Sequence, residues 1–175
     1  MRPGPDELET IVWQGKYLAA KKRGTWEYVS RTRNIGAAVI LAFDAGHVIL
    51  VEQYRVPLGM NCLELPAGLV GDEEAGEIPE AAAIRELEEE TGYLASGMTD
   101  LGRFYSSPGM SSEGFTLLRA EGLRKVGDGG GVAGEDIIVH RVPVEDVGLF
   151  VKAKRDEGCA IDVKLLLMLT VDLLT

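Results

Sequence analysis

Cysteine is scarce in these 175 residues. Cys62 and Cys159 stand far apart and in no CxxC or Cys/His array, which excludes a disulfide framework and a structural zinc site. Free thiols suit a reducing compartment, so a cytoplasmic location is expected. Long apolar runs are missing as well. No stretch reaches the roughly 18 residues of a membrane span, and residues 1–8 carry no apolar signal region. Neither secretion nor a membrane partner is expected. Positive charge is in deficit, with 18 Lys and Arg against 28 Asp and Glu and a formal net charge of −10. Such a chain repels phosphate backbones, which disfavours a nucleic-acid partner. Clustered carboxylates, in contrast, can hold a divalent cation that recruits a phosphorylated small molecule. Repeats and low-complexity tracts are absent apart from Gly129-Gly130-Gly131. What remains, 46% hydrophobic and 26% charged, is an ordinary globular composition, and the length suits one domain.

Along the chain, residues 7–29 carry Ile11, Val12, Trp13, Tyr17, Leu18, Trp26 and Tyr28, broken by Gly15 and Gly24, which predicts short strands in a hairpin arm. The apolar run 35–43, the turn-like Asp44-Ala45-Gly46 and the Val/Ile/Leu-rich 47–53 predict two paired strands. Residues 62–65 suit a short strand stopped by Pro66-Ala67-Gly68, followed by an acidic, glycine-containing loop through Gly76. A helix is predicted over about 78–91, with Pro79 and Glu80 in its first turn, high propensity through Glu90 and Gly92 as its stop. Strands are expected at 101–105, 114–120 and 137–142, around the Ser106-Ser107-Pro108-Gly109 turn and a flexible loop at 127–134. Helical composition marks 144–155 and 161–174. This order of elements predicts a mixed α/β domain.

The segment Arg85-Glu86-Leu87-Glu88-Glu89-Glu90-Thr91-Gly92 is the most informative. Glu86, Glu89 and Glu90 are spaced i, i+3 and i+4 and converge on one helix face. Ile84 and Leu87 fall on another side and anchor the helix in the core. Like charges at those spacings repel, and a divalent cation reverses the sign of that interaction. Spacing alone leaves two readings open, a solvated acidic face and a site for a hard cation such as magnesium, with manganese as substitute. Arg85 is placed to hold one carboxylate through a charge-assisted hydrogen bond.

Context then adds a resemblance. Gly71, Glu77, Arg85, Glu86, Leu87, Glu89, Glu90, Gly92 and Tyr93 resemble the Nudix box, GX5EX7REUXEEXGU with U a bulky apolar residue, Tyr93 being the loosest match. One departure stands out. In relatives of this subgroup the first glycine of the box is usually that of the Pro-Ala-Gly turn, here Gly68, three residues farther upstream. Residues 69–76 accordingly read as a lengthened loop, with Gly71 completing the spacing by chance or by local realignment. Further segments resemble the ADP-ribose pyrophosphatase subgroup and its GDP-mannose-cleaving neighbours. These are Gln53-Tyr54-Arg55 before Leu63-Glu64-Leu65-Pro66-Ala67-Gly68, then Ser107-Pro108-Gly109 with Glu113, and an arm containing Trp26-Glu27.

The resemblance implies a Nudix α/β fold, a mixed β-sheet sandwiched between helices, over residues 35–175. Residues 1–34 would form an N-terminal strand arm of the same domain that helps build a homodimer and its base-binding sites. It implies metal-dependent hydrolysis of the pyrophosphate of ADP-ribose to AMP and ribose 5-phosphate. The alternatives are GDP-mannose or another nucleotide sugar, and a non-catalytic nucleotide sensor, which the complete set of box carboxylates disfavours. The implied metal ligands are Glu86, Glu89, Glu90 and the backbone carbonyl of Ala67, with Glu64 a further candidate. Trp26, Glu27, Arg55, Pro108 and Gly109 are the implied substrate contacts. Each has a plainer reading: a core or interface aromatic, a surface arginine, a turn. In the subgroup a catalytic glutamate lies in the loop before the strand matched by 137–142. Here Val132 and Ala133 replace the usual carboxylates, leaving Glu135 as candidate base, with Glu113 and Glu89 as rivals.

Overall fold

The structure is a computed structural model that describes residues 7–33, 35–71, 76–132 and 134–173. Strands β1 (Thr10–Gln14), β2 (Leu18–Arg23) and β3 (Trp26–Arg31) form an antiparallel sheet of their own. Gly24, at φ 59°, makes the tight turn between β2 and β3. Ile11, Val12, Trp13, Tyr17 and Trp26 stay exposed on this arm. It is tied to the rest of the chain at Val29, which donates to the Met110 carbonyl at 2.9 Å and accepts from Ser112 N–H at 3.0 Å.

Strands β4 (Gly36–Leu41), β5 (Phe43–Asp44), β6 (His47–Arg55), β7 (Met60–Glu64) and β8 (Ala67–Val70) precede helix α1 (Pro79–Thr91). After it come β9 (Tyr93–Leu94), β10 (Gly97–Tyr105), β11 (Gly114–Glu121), β12 (Arg124–Lys125) and β13 (Ile138–Pro143). A 3-10 turn (Val144–Asp146), helix α2 (Val147–Asp156), β14 (Ala160–Ile161) and a 3-10 helix (Val163–Leu173) end the described chain. Two larger sheets result, β10-β11-β4-β8 and β13-β6-β7-β14, each mixing parallel and antiparallel pairs. Among the described residues no helix is long and apolar enough to cross a membrane.

Period-two alternation builds the core. In β4, Ala38 and Ile40 face a cluster with Ala83 and Leu87 of α1 and Leu118 of β11. Val39 and Leu41 face a second cluster with Leu50, Leu63 and Leu117, onto which Val147, Phe150 and Val151 of α2 pack. The two sheets therefore lie between α1 and α2. Leu87 is fully buried and Ile84 packs beside it, as the helix pattern predicts.

Several expectations are corrected. The runs 35–43 and 47–53 do not pair along their length. Only Phe43 and Asp44 pair with β6, because β4 is apolar on both faces and is buried in the other sheet. Pro66-Ala67-Gly68 does not end in loop, since Ala67 begins β8 and pairs along β4 as far as Val70. Of the lengthened loop 69–76, residues 72–75 lie outside the described residues. The segment 144–155 starts as a 3-10 turn before α2; of the segment 161–174, Ile161 ends β14, residues 163–173 are 3-10 rather than α-helix, and Leu174 lies outside the described residues. Composition does not separate i→i+3 from i→i+4 bonding. The glycine loop at 127–134 is hydrogen-bonded to the end of α1 rather than free, with Ala133 outside the described residues.

On β6, Glu52 is buried. Burial alone would raise its pKa, but bonds at 2.9 Å from Lys154, Asn61 and His140 outweigh that and hold it at about 2, below the ordinary 4.5. A depressed folded-state value stabilises the fold fully above the unfolded value and progressively less as pH falls toward the folded one. The thermal midpoint of the wild type should therefore exceed that of Glu52→Gln near pH 7. That gap should narrow between about pH 4.5 and about pH 3. A gap that stays constant in a calorimetric pH series refutes the assignment.

Candidate functional site

Helix α1 forms where it does for local reasons. Pro79 in the first turn has no N–H to leave unpaired, and Gly92, at φ 70°, closes the last turn by donating to the Glu88 carbonyl at 2.8 Å. The acidic face of the helix lies against the backbone of residues 66–68. Pro66 accepts from Ile40 N–H at 2.9 Å, and Ala67 N–H donates to Glu90 Oε2 at 3.1 Å. At Gly68 the approach is so close that a Cβ would overlap the Glu86 carboxyl group. Gly68 is thus required by space, and Glu86 occupies the room a side chain would take.

Arg85 organises the carboxylates. Its guanidinium reaches Glu77 Oε1 at 3.3 Å, Glu86 Oε1 at 3.0 Å, Glu89 Oε2 at 3.2 Å and the Leu69 carbonyl at 3.4 Å. Three carboxylates are held where the sequence suggests one, which offsets much of their mutual repulsion. Glu77 would be raised by burial, but Gly71 N–H, 3.1 Å from Oε2, and Arg85 hold it below the ordinary range. Gly71 and Glu77, the first two fixed positions of the box, therefore touch. Glu90 behaves oppositely. It is 5% exposed, and burial pushes its pKa up to about 8, the Glu86 and Glu135 carboxylates adding to the effect.

Glu86 and Glu90 open onto a cavity of about 590 Å³ whose rim also includes Ala67, Arg55, Glu113 and Glu135. Each cation in it is already paired. Arg55 grips Glu64 with two bonds at 2.6 and 2.8 Å, Arg31 holds Glu113 at 2.6 Å, and Lys164 is bound to Asp162. Glu113, a rival candidate for the base, is therefore held in an ion pair. Glu135 lies in the cavity wall with its carboxylate accepting Val132 N–H at 3.1 Å.

Glu89 is on the right helix but does not line the cavity, being drawn to Arg85. Trp26 and Glu27 sit exposed on β3, and Pro108 and Gly109 form the turn that receives the arm, so none of the four lines the cavity of its own chain. Arg31, Ser106, Asp162 and Lys164 do line it and escaped the sequence reading. Arg31 lies two residues past the predicted arm strands of 7–29 and ends β3 in the structure, and nothing local marks Lys164.

The donor set has the chemistry of a hard divalent cation site, with carboxylate oxygens and no sulfur or imidazole among its ligands. Among the described residues no three acidic, histidine or cysteine side chains yet converge on one point, since Arg85 holds two of them. A buried carboxylate at Glu90 and the cradle at Gly68 nonetheless fit such an ion.

Comparison with known proteins shows the family and the fold. A family model described as NUDIX domain matches residues 32–161. Over 89 residues the chain is 47% identical to an ADP-ribose pyrophosphatase of Bacillus subtilis (strain 168), covering 50% of this chain and 46% of that one. It is 33% identical over 146 residues to a GDP-mannose pyrophosphatase of Cronobacter sakazakii, covering 78% and 72%. The crystal structure of an ADP compounds hydrolase superposes with a TM-score of 0.66 at 22% identity, over 83% of this chain and 80% of that one, a likeness of fold. The chain spans about half the length of the curated relatives it matches at the highest identities.

If Gly68 is required by space, Gly68→Ala should lower the unfolding free energy by about 1–3 kcal/mol. Urea titration of the two proteins measures this, and an unshifted midpoint would mean that Glu86 has other room.

Proposed function

The chain belongs to the NUDIX domain family, and we propose that it is a metal-dependent pyrophosphohydrolase that converts ADP-ribose and water to AMP and ribose 5-phosphate. The observation that carries this reading is the paired placement of Glu86 and Glu90, one pressed against Gly68 and the other buried, at the wall of a cavity that also holds Glu135 and three cations.

Glu86, Glu89, Glu90 and the Ala67 carbonyl would hold magnesium, or manganese in its place, with Glu89 released from Arg85. A bound divalent cation neutralises charge on phosphoryl oxygens and lowers the pKa of ligated water. The chain's own groups do the rest. Arg55, with its planar fork, binds a phosphate oxygen while Glu64 keeps it oriented. Glu135 accepts the proton of the attacking water at its carboxylate. Its two rivals are less suited, because Glu113 is held by Arg31 and Glu89 is taken up as a metal ligand.

The exposed apolar arm supports homodimerisation, in which a second copy would bring Trp26 and Glu27 toward a base-binding role. Pro108 and Gly109, where the arm docks, would shape that approach. A second reading, cleavage of GDP-mannose, is favoured by the relative whose length is matched to 72%.

Incubation with magnesium and a panel of ADP-ribose, GDP-mannose, NADH, diadenosine polyphosphates and CoA should yield AMP from ADP-ribose fastest. Faster release of GMP from GDP-mannose would favour the second reading, and no cleavage of any compound would sink both. Glu90→Gln should lower turnover by orders of magnitude without loss of fold, and Glu135→Gln by about 10²–10⁴-fold. Sedimentation at micromolar concentration should show a dimer, and a monomer alone would remove that claim.

A further inference from the structure

We infer that the glycine stretch 127–131 is a positioning brace that fixes the segment carrying Glu135 to the C-terminal turn of α1. The role rests on the reading of Glu135 as proton acceptor.

The last carbonyls of a helix have no intrahelical donor and must find one elsewhere. Here one short segment supplies them all. Gly131 N–H donates to the Glu89 carbonyl at 3.0 Å and Gly130 N–H to that of Glu90 at 2.9 Å. Lys125 Nζ reaches the Thr91 carbonyl at 2.9 Å, and Val126 and Gly127 N–H reach that of Gly92 at 2.8 and 3.1 Å. The cationic Lys125 also suits the negative end of the helix and lies 4.8 Å over the Tyr93 ring. Glu89 and Glu90, two of the proposed metal ligands, are thus bonded through their own carbonyls to the segment that carries the proposed base.

The glycines permit contact rather than motion. Gly129 has φ 73°, and a Cβ there would lie 2.6 Å from the Glu90 carbonyl oxygen and from Thr91 Cα. A Cβ on Gly92 would lie 2.8 Å from Gly129 N. Beyond the contact, Ile137 N–H bonds the Gly130 carbonyl at 3.3 Å and its side chain is buried, so the chain is anchored on both sides of Glu135. A linker serving only flexibility would leave these donors to water.

The test compares Gly129→Ala with Gly46→Ala. The latter bears a similar left-handed φ of 77° with nothing within 4 Å, and it should leave turnover unchanged. Gly129→Ala should lower kcat by about 10²-fold with KM little altered, as a misplaced catalytic group does. In a Glu135→Gln background the same change should cost less than about threefold, because the group it positions is already gone. The Gly130 and Gly131 amides should exchange as slowly as those inside α1 in the wild type and lose that protection in Gly129→Ala. If Gly129→Ala does not fold, Lys125→Met removes a single brace bond and is read the same way. An equal loss with and without Glu135, or unprotected amides in the wild type, overturns the brace. Normal turnover in Gly129→Ala beside a crippled Glu135→Gln overturns the brace alone, whereas full turnover in Glu135→Gln overturns the base assignment and this role together.

Discussion

The near-contact between the acidic face of α1 and the backbone of residues 66–68 is the constraint on which the site depends. Glu86 fits only because Gly68 has no side chain, and the buried Glu90 accepts a hydrogen bond from Ala67 N–H. A helix held this close to a strand cannot slide by a residue without driving a carboxylate into the backbone. The acidic face is thereby given one place. Its charge is managed by proximity as well, since Arg85 bonds Glu86 and Glu89 on its own helix, Glu77 ahead of the helix, and the Leu69 carbonyl.

Both ends of this helix are tied to segments that shape the cavity. At its start, Glu77 accepts from Gly71, linking the end of β8 to the approach to the helix. At its finish, residues 125–131 occupy the orphan carbonyls. The core serves the same end. Leu87 and Ala83 sink into one cluster with Ile40, Ile49 and Leu118, while the alternate residues of β4, β6 and β11 sink into another on which α2 packs, so both sheets lie between α1 and α2. A site built on such layers can hold a high-energy arrangement, a buried carboxylate with its pKa near 8, because the packing over-determines it.

Much of this was legible beforehand. The helix was placed to within a residue, since Pro79 and Gly92 are strong local signals, and the i, i+3, i+4 glutamates followed from helical geometry alone. Apolar character marks strands at 114–120 and 137–142, which the structure forms at 114–121 and 138–143. What failed was pairing. The runs 35–43 and 47–53 look like a hairpin locally, yet β4 finds β11 and β8 instead, because a strand apolar on both faces is stabilised by burial between layers. The glycine loop was misread for a related reason. Glycine signals conformational freedom in a sequence, whereas here it permits two backbones to touch.

By itself the sequence determined the chemistry available to this protein: a helix with three acidic groups on one face, an arginine among them, and two cysteines in no metal-binding or CxxC array. Those are local properties, set by residue type and by a period of 3.6. Tertiary structure alone decided which groups share a cavity. It brought Arg31 from the arm and Lys164 from the last segment to the same cavity as Glu135, turned Glu89 toward Arg85, and left Trp26 outside. Contacts between residues far apart in the chain are settled by packing and by the satisfaction of buried polar groups, which no short stretch of sequence encodes.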